Sequence, residues 1–162
     1  MRVYVSSGVV YGCAAGKSKA IRLGQSGRRF SGVSVRLVKV AGRMAAYSLA
    51  SHGVDTAAAS VVVRRLTDGK RVHQDPATVG LRGPEAFQSV ASLVVRASGG
   101  VAWIGSVASI GRPGPHPQVL RHDRRGLKLL DSGSSISMRS LRLHGSALRW
   151  KRGPVTLRSN LL

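Results

Sequence analysis

The acidic residues of this sequence are too few and too scattered for carboxylate chemistry. Hydrolysis by paired carboxyl groups needs two acids on facing elements. Only six acids occur, and two of them, Asp68 and Asp123, lie in corresponding turns, where aspartate is favoured for backbone geometry alone. The sequence therefore predicts no catalytic carboxylate pair among Asp55, Asp68, Asp75, Glu85, Asp123 and Asp131.

The histidines likewise match no catalytic or metal-binding spacing. None of the five forms an H-E-x-x-H pair or a zinc-type cluster with cysteine. His122-Asp123 has the order of a general base with its orienting carboxylate, but no G-x-S-x-G turn supplies a nucleophile. We predict that this pair ends a strand and enters a turn. No metal ligand is expected among His52, His73, His116, His122 and His144.

Two further motifs have structural interpretations. Gly16-Lys17-Ser18 resembles the end of a phosphate-binding loop, but Gly12 is one residue too close for that motif. A basic hairpin loop is predicted there. The single cysteine, Cys13, excludes an intrachain disulfide and is predicted to be a small buried residue. The sequence thus indicates a protein that is not an enzyme and holds no cofactor.

Charge is the most unusual property of the composition. The chain has 26 Lys and Arg residues but only six Asp and Glu residues, which gives a formal charge of +20. Such a field attracts polyanions, either nucleic acid or an acidic cell-surface polymer. The basic residues are spread over the whole chain, whereas nucleic-acid-binding tails concentrate them in blocks. The residue bias of GC-rich coding gives the same arginine excess, so both interpretations stay open.

The elements that position these residues form a four-fold repeat. In each copy a glycine turn leads into a short apolar run that ends in an aromatic residue: Tyr11, Tyr47, Trp103 and Trp150. A loop follows, and then a short strand that is predicted to end in an aliphatic-arginine pair: Ile21-Arg22, Val63-Arg64, Leu120-Arg121 and Leu157-Arg158. Such a module cannot bury its own face alone. We therefore predict a single repeat domain over 1–162, with approximate units 1–25, 34–77, 90–133 and 136–162.

The repeat predicts an all-β fold of antiparallel four-stranded units. Glycine-bearing turns separate short runs of β-branched residues, as in hairpins. The equivalent positions of the four aromatic residues indicate packing inside or between units. Ala57-Ala58-Ala59 is the only segment that suggests a helical turn, and no apolar run is long enough to span a membrane.

The C-terminal third resembles a repeat of uncharacterised bacterial β-propeller-like proteins. The residues that carry the resemblance are Ser92-Leu93 with Val101-Ala102-Trp103-Ile104-Gly105, then Val119-Leu120-Arg121, Leu129-Leu130-Asp131-Ser132-Gly133, and Ser140-Leu141 with Gly145-Ser146 and Trp150. It implies exported blades, extracellular or in the cell envelope, and no catalytic residues, although the chain has no convincing signal peptide. Two features depart from the pattern: basic residues on the last strands, namely Arg142, Arg149, Lys151 and Arg152, and too few units to close a ring.

The fold expectation is therefore an incomplete β-propeller, a fragment of a longer parent, with a two-layer β-sandwich as the alternative. Open sheet edges template pairing with other chains, so self-association through these edges is expected. The favoured function is a non-catalytic structural or binding module of unknown ligand. The alternative is a basic nucleic-acid-binding protein that makes non-specific phosphate contacts. In that case the contacts are expected from the repeated arginines, Arg22, Arg64, Arg121 and Arg158.

Overall fold

A computed structural model describes residues 1–27, 32–53, 57–80, 86–109 and 114–162. For Ala86 it describes the backbone alone. Two of the six acids, Asp55 and Glu85, lie outside these ranges. Every regular element in the described ranges is a β-strand, and none of these segments forms a helix that could span a membrane. The all-β fold class predicted from the repeat is confirmed.

The strands fall into four successive groups, which we call units 1 to 4. Unit 1 contains β1 (Arg2–Ser6), β2 (Val9–Cys13) and β3 (Ile21–Gln25). Unit 2 contains β4 (Gly32–Ala41), β5 (Met44–His52), β6 (Ala57–Arg65) and β7 (Arg71–Pro76). Unit 3 contains β8 (Ala86–Val95), β9 (Val101–Ser109), β10 (His116–Asp123) and β11 (Gly126–Ser132). Unit 4 contains β12 (Arg142–His144), β13 (Ala147–Arg152) and β14 (Val155–Asn160).

Each unit is an antiparallel meander in which consecutive strands pair. Units 1 and 4 are separate three-stranded sheets. Units 2 and 3 belong to one mixed sheet, because the start of β6 extends past β7 and pairs in parallel with β8 at Ala57 and Phe87. No sheet in the described part of the chain closes on itself.

The core lies in three apolar layers, one between each pair of neighbouring units. Alternation along a strand sends successive side chains to opposite faces. On β5, for example, Tyr47 packs toward unit 1 while Ala46 packs toward unit 3. On β9, Trp103 packs toward unit 2 while Ile104 packs toward unit 4. The inner units are therefore apolar on both faces, and the outer units on one.

The aromatic residues occupy these layers as predicted for three of the four copies. Tyr47, Trp103 and Trp150 are buried. Tyr11 is half-buried and stacks on Tyr4, with ring centroids 5.6 Å apart. The fourth aromatic thus packs within its own sheet, because no described strand covers the outer side of unit 1.

A short segment after β7 ties unit 2 to unit 3. The indole Nε1 of Trp103 donates to the carbonyl of Ala77 at 2.9 Å. Gln118 makes two hydrogen bonds with the backbone of Val79, at 2.8 and 2.9 Å. A Cβ on Gly105 would lie 1.8 Å from the Ala77 oxygen, so only glycine allows this approach. The side chain of Trp103 is thereby both buried and fully hydrogen-bonded.

One local expectation is wrong. Ala57-Ala58-Ala59 opens strand β6 and makes no helical turn. Ala57 and Ala59 are buried and Ala58 is exposed, the alternation of a strand, and all three pair with β5. Pairing with β5 outweighs the helical preference of alanine. Cys13 is buried as predicted, and Gly16-Lys17-Ser18 lies in an exposed connection between β2 and β3.

Candidate functional site

The four repeated arginines occupy the third strand of their units but have different environments. Arg22 on β3 and Arg158 on β14 are exposed. Arg64 on β6 is half-buried and donates to the carbonyl of Gly69 at 3.1 Å. Arg121 on β10 is buried and forms an ion pair with Asp123 at 3.4 Å. Arg22 also donates to the amide oxygen of Gln25 at 3.0 Å, so three of the four have partners within the protein, and whether any of them contacts a polyanion stays a prediction.

Strand register decides which way each of these arginines points. The aromatic residue of unit 3 pairs with Leu120, one residue before Arg121. The aromatic residue of unit 2 pairs with Val62, two residues before Arg64. Alternate residues of a strand face opposite sides of the sheet. Arg64 therefore lies on the same face as Val62, toward unit 1, whereas Arg121 lies on the face opposite Leu120, toward unit 4. The four side chains therefore do not form one continuous row.

A different set of basic residues does form a row, on the outer face of unit 4. Arg142 on β12 lies directly opposite Arg149 on β13, and Arg149 lies directly opposite Arg158 on β14. Lys151, two residues after Arg149, has the same face. All four are exposed. We call Arg142, Arg149, Lys151 and Arg158 the basic face.

The inner side of unit 4 explains why these residues face outward. Leu148 and Trp150 alternate with the basic residues of β13 and pack into the layer against unit 3. The Trp150 indole also donates to Asp131 at 2.8 Å. A change of register by one residue would place arginines in the core, so the apolar residues fix the basic face toward solvent.

Arg152 differs from the other basic residues of β13. Its Nη1 donates to Asp131 at 2.9 Å, so its charge is paired with the sheet of unit 3. The basic face has no such partner: in the described ranges, none of its members forms an ion pair. Arg142 uses Nη1 to donate to the carbonyls of Arg139 and Leu141, at 2.9 and 2.8 Å.

The electrostatics of the basic face favour an anionic ligand. Neighbouring strands are about 4.8 Å apart, so three guanidinium-bearing residues lie within roughly 10 Å. Like charges directly opposite each other on paired strands repel and destabilise a sheet. An anion laid across the three strands would remove this repulsion and gain charge-assisted hydrogen bonds from arginine.

A second group of polar residues lies where unit 2 meets unit 3. His73 and Asp75 are two residues apart on β7, and His122 comes from β10. Oδ2 of Asp75 lies 2.9 Å from Nδ1 of His73 and 2.8 Å from Nδ1 of His122. The two imidazole rings stack with centroids 4.0 Å apart and an interplanar angle of 25°. Nε2 of His73 is 3.4 Å from the carbonyl oxygen of Gly99. We call these three side chains the His-Asp-His cluster.

The carboxyl group of this cluster is ionised at neutral pH. Burial by itself raises the pKa of Asp75, but hydrogen bonds from His73 and His122 and their charge outweigh it and lower the pKa below 3.8. The cluster therefore presents one carboxylate and two imidazoles at a half-buried position, which is a donor set of two nitrogens and one oxygen.

Sequence reasoning missed both groups as sites. The basic residues of β12 and β13 were visible as departures from the repeat, but the pairing that aligns them with Arg158 depends on strand register. His73 and His122 are on different units, and no local spacing relates them. Comparisons of the chain with protein-family models, curated proteins and solved structures give no match.

Proposed function

We propose that this protein is a non-catalytic binding module that holds polyanions on the basic face of unit 4. The observation that carries the proposal is the register of β12, β13 and β14, which aligns Arg142, Arg149 and Arg158 side by side in solvent. Lys151 extends this row along β13. The formal charge of +20 adds a long-range attraction that brings a polyanion to the surface.

The ligand chemistry that fits best is a chain of phosphate or sulfate groups. Arginine presents a fork of donors that matches phosphate oxygens in pairs. In this row and its same-face neighbours Ala147, Thr156 and Asn160 there is no tyrosine, tryptophan or phenylalanine on which a base would stack, and the one ring on the face is the imidazole of His144, opposite Ala147. Phosphate contacts position a ligand, whereas only base contacts read its sequence. Binding is therefore expected to depend on charge and not on sequence.

We also propose that the four units form an incomplete β-propeller. Three apolar layers between four successive units are more than a two-layer sandwich contains. The first strands of units 2, 3 and 4, namely β4, β8 and β12, and the segment before β12 line one cleft of about 570 Å³. First strands that converge on a common cleft are typical of propeller blades around a central channel.

The test is a salt series with double-stranded DNA and heparin as probes. Log affinity for B-DNA falls with log salt at a slope of about −0.9 per neutralised phosphate. Replacing Arg142, Arg149 and Arg158 with glutamine removes three such contacts and is expected to reduce the slope by about 2.7. Between 50 and 200 mM salt, the wild-type protein then loses about 40-fold more affinity than the variant.

The matched control replaces Arg2, Arg43 and Arg71 with glutamine. These are exposed residues on β1, the β4–β5 turn and β7, and their replacement removes the same charge. We expect the control to change the slope by less than about 1. Equal effects of the two variants would mean that affinity follows net charge and not the basic face. A preference for one DNA sequence over a shuffled one would also contradict the proposal.

A further inference from the structure

The His-Asp-His cluster brings two ring nitrogens and one carboxylate oxygen close enough together to share a cation. The carbonyl of Gly99 only accepts hydrogen bonds, and it lies 3.4 Å from Nε2 of His73, which can donate to it in one of the two tautomers of the ring. In that tautomer of neutral His73, Nδ1 is unprotonated, and its lone pair faces Oδ2 of Asp75 at 2.9 Å. Two acceptors at this distance repel unless a proton or a metal cation lies between them.

The same carboxylate oxygen also faces Nδ1 of His122, at 2.8 Å. The donor atoms of the three side chains all lie within 4.8 Å of one another. In a tetrahedral zinc site with bonds of about 2.0–2.1 Å, ligand atoms are about 3.3 Å apart. Small rotations of the side chains are therefore enough to place one cation at bonding distance from all three residues.

The surroundings of the cluster are those of a metal site. Metal-binding histidines usually donate their second ring N–H to a carbonyl or carboxylate, which is the position of Gly99 relative to His73. The side chains of His73, Asp75 and His122 are 14%, 9% and 25% exposed, so a cation reaches them from solvent while water is mostly excluded. One coordination position would remain for water.

We propose that His73, Asp75 and His122 bind one divalent transition-metal cation of the Zn²⁺ class. Two imidazoles favour zinc, copper or nickel over calcium and magnesium, which prefer oxygen ligands. Because His73 and Asp75 belong to β7 and His122 to β10, the cation joins unit 2 to unit 3. This role is independent of polyanion binding, since the basic face lies on unit 4.

Titration calorimetry with Zn²⁺ on the untagged, chelator-treated full chain tests the proposal. We expect saturation at one equivalent, and a higher thermal midpoint with Zn²⁺ because the metal binds the folded state. His122→Ala and Asp75→Asn are each expected to weaken binding at least tenfold. The control is His116→Ala, an exposed histidine on the same strand as His122, which is expected to leave the affinity unchanged.

Spectroscopy and salt dependence provide independent readouts. Bound Co²⁺ is expected to give the strong visible absorption of a low-coordinate nitrogen-oxygen site. This measurement needs only the wild-type protein, so it tests the proposal even if a variant does not fold. A +20 chain repels cations, so metal affinity is expected to rise as a non-coordinating salt screens the charge, opposite to polyanion affinity. No saturable Zn²⁺ binding, an unchanged aqueous Co²⁺ spectrum, or equal weakening by His116→Ala would each overturn the proposal and leave a hydrogen-bonded cluster without a metal.

Discussion

Replacing Asp123 with asparagine is expected to destabilise the protein strongly, because this carboxylate neutralises a buried arginine. The Asp123 side chain is fully buried and pairs with Arg121, whose own side chain is 9% exposed. Its two oxygens also accept from the backbone N–H groups of Arg125 at 2.9 Å and Leu162 at 3.2 Å. Arg121 donates to the carbonyl of Asn160. These contacts fix the segment that follows β14 to the end of β10.

The magnitude follows from what the substitution leaves behind. Asparagine has one acceptor oxygen, so one of the two backbone N–H groups loses its partner. Arg121 keeps its charge in a buried position without a counter-ion. Removing one partner of a buried ion pair costs about 3–5 kcal/mol. That is a large part of the 5–15 kcal/mol by which folded proteins are typically stable.

Urea unfolding, followed by tryptophan fluorescence, measures this loss. With an m-value of about 2 kcal/mol/M, the midpoint is expected to fall by about 1.5–2.5 M. The control is Asp68→Asn, which removes the ion pair between Arg65 and Asp68, with side chains 42% and 47% exposed. Exposed pairs contribute about 0–1 kcal/mol, so the control is expected to shift the midpoint by less than about 0.5 M.

A double variant completes the test. Arg121→Met combined with Asp123→Asn leaves no charge buried and is expected to recover part of the lost stability. Equal midpoints for Asp123→Asn and Asp68→Asn would show that Asp123→Asn does not leave Arg121 buried without a counter-ion. A double variant less stable than the sum of the two single changes would refute the same reasoning.

The remaining predictions concern acid unfolding, core packing and assembly. The pKa values of Asp75 and Asp123 lie below 3.8 in the folded state, so both carboxylates stabilise the fold above that pH and cease to do so as pH falls through their folded values. The urea midpoint is expected to be flat near neutrality and to fall below about pH 4, with a smaller fall in Asp123→Asn. Leu148→Ala opens a cavity between units 3 and 4 and is expected to cost about 2–5 kcal/mol in the same assay, whereas Val155→Ala, at an exposed position, is expected to change little. Gly105→Ala forces a methyl group onto the Ala77 carbonyl and is expected to cost at least the 1–3 kcal/mol typical of overpacking, measured with Ser109→Ala as control. Sedimentation velocity over a range of concentrations is expected to show self-association through open sheet edges, and a single monomeric species throughout would contradict it.

Local sequence patterns were enough to predict the strands and most of the buried aromatic residues. Both are local properties. A glycine turn reverses the chain, alternation sets one face apolar, and a recurring aromatic residue marks the position that fills the space between sheets. Trp103 and Trp150 could therefore be assigned to the core before the sheets were known. The same local reasoning failed at Ala57–Ala59, because alanine carries a helical preference that only pairing with β5 overrides.

The environments of the polar residues depend on strand register and on packing between sheets. A shift of one residue between paired strands turns a side chain to the other face, so the sequence could not show that Arg121 is buried while Arg158 joins Arg142 and Arg149 in solvent. The meeting of His73 with His122 depends on how unit 2 packs on unit 3, a contact between residues far apart in the chain. Periodicity reports which face of a strand is apolar, but only packing between sheets determines which polar groups come together.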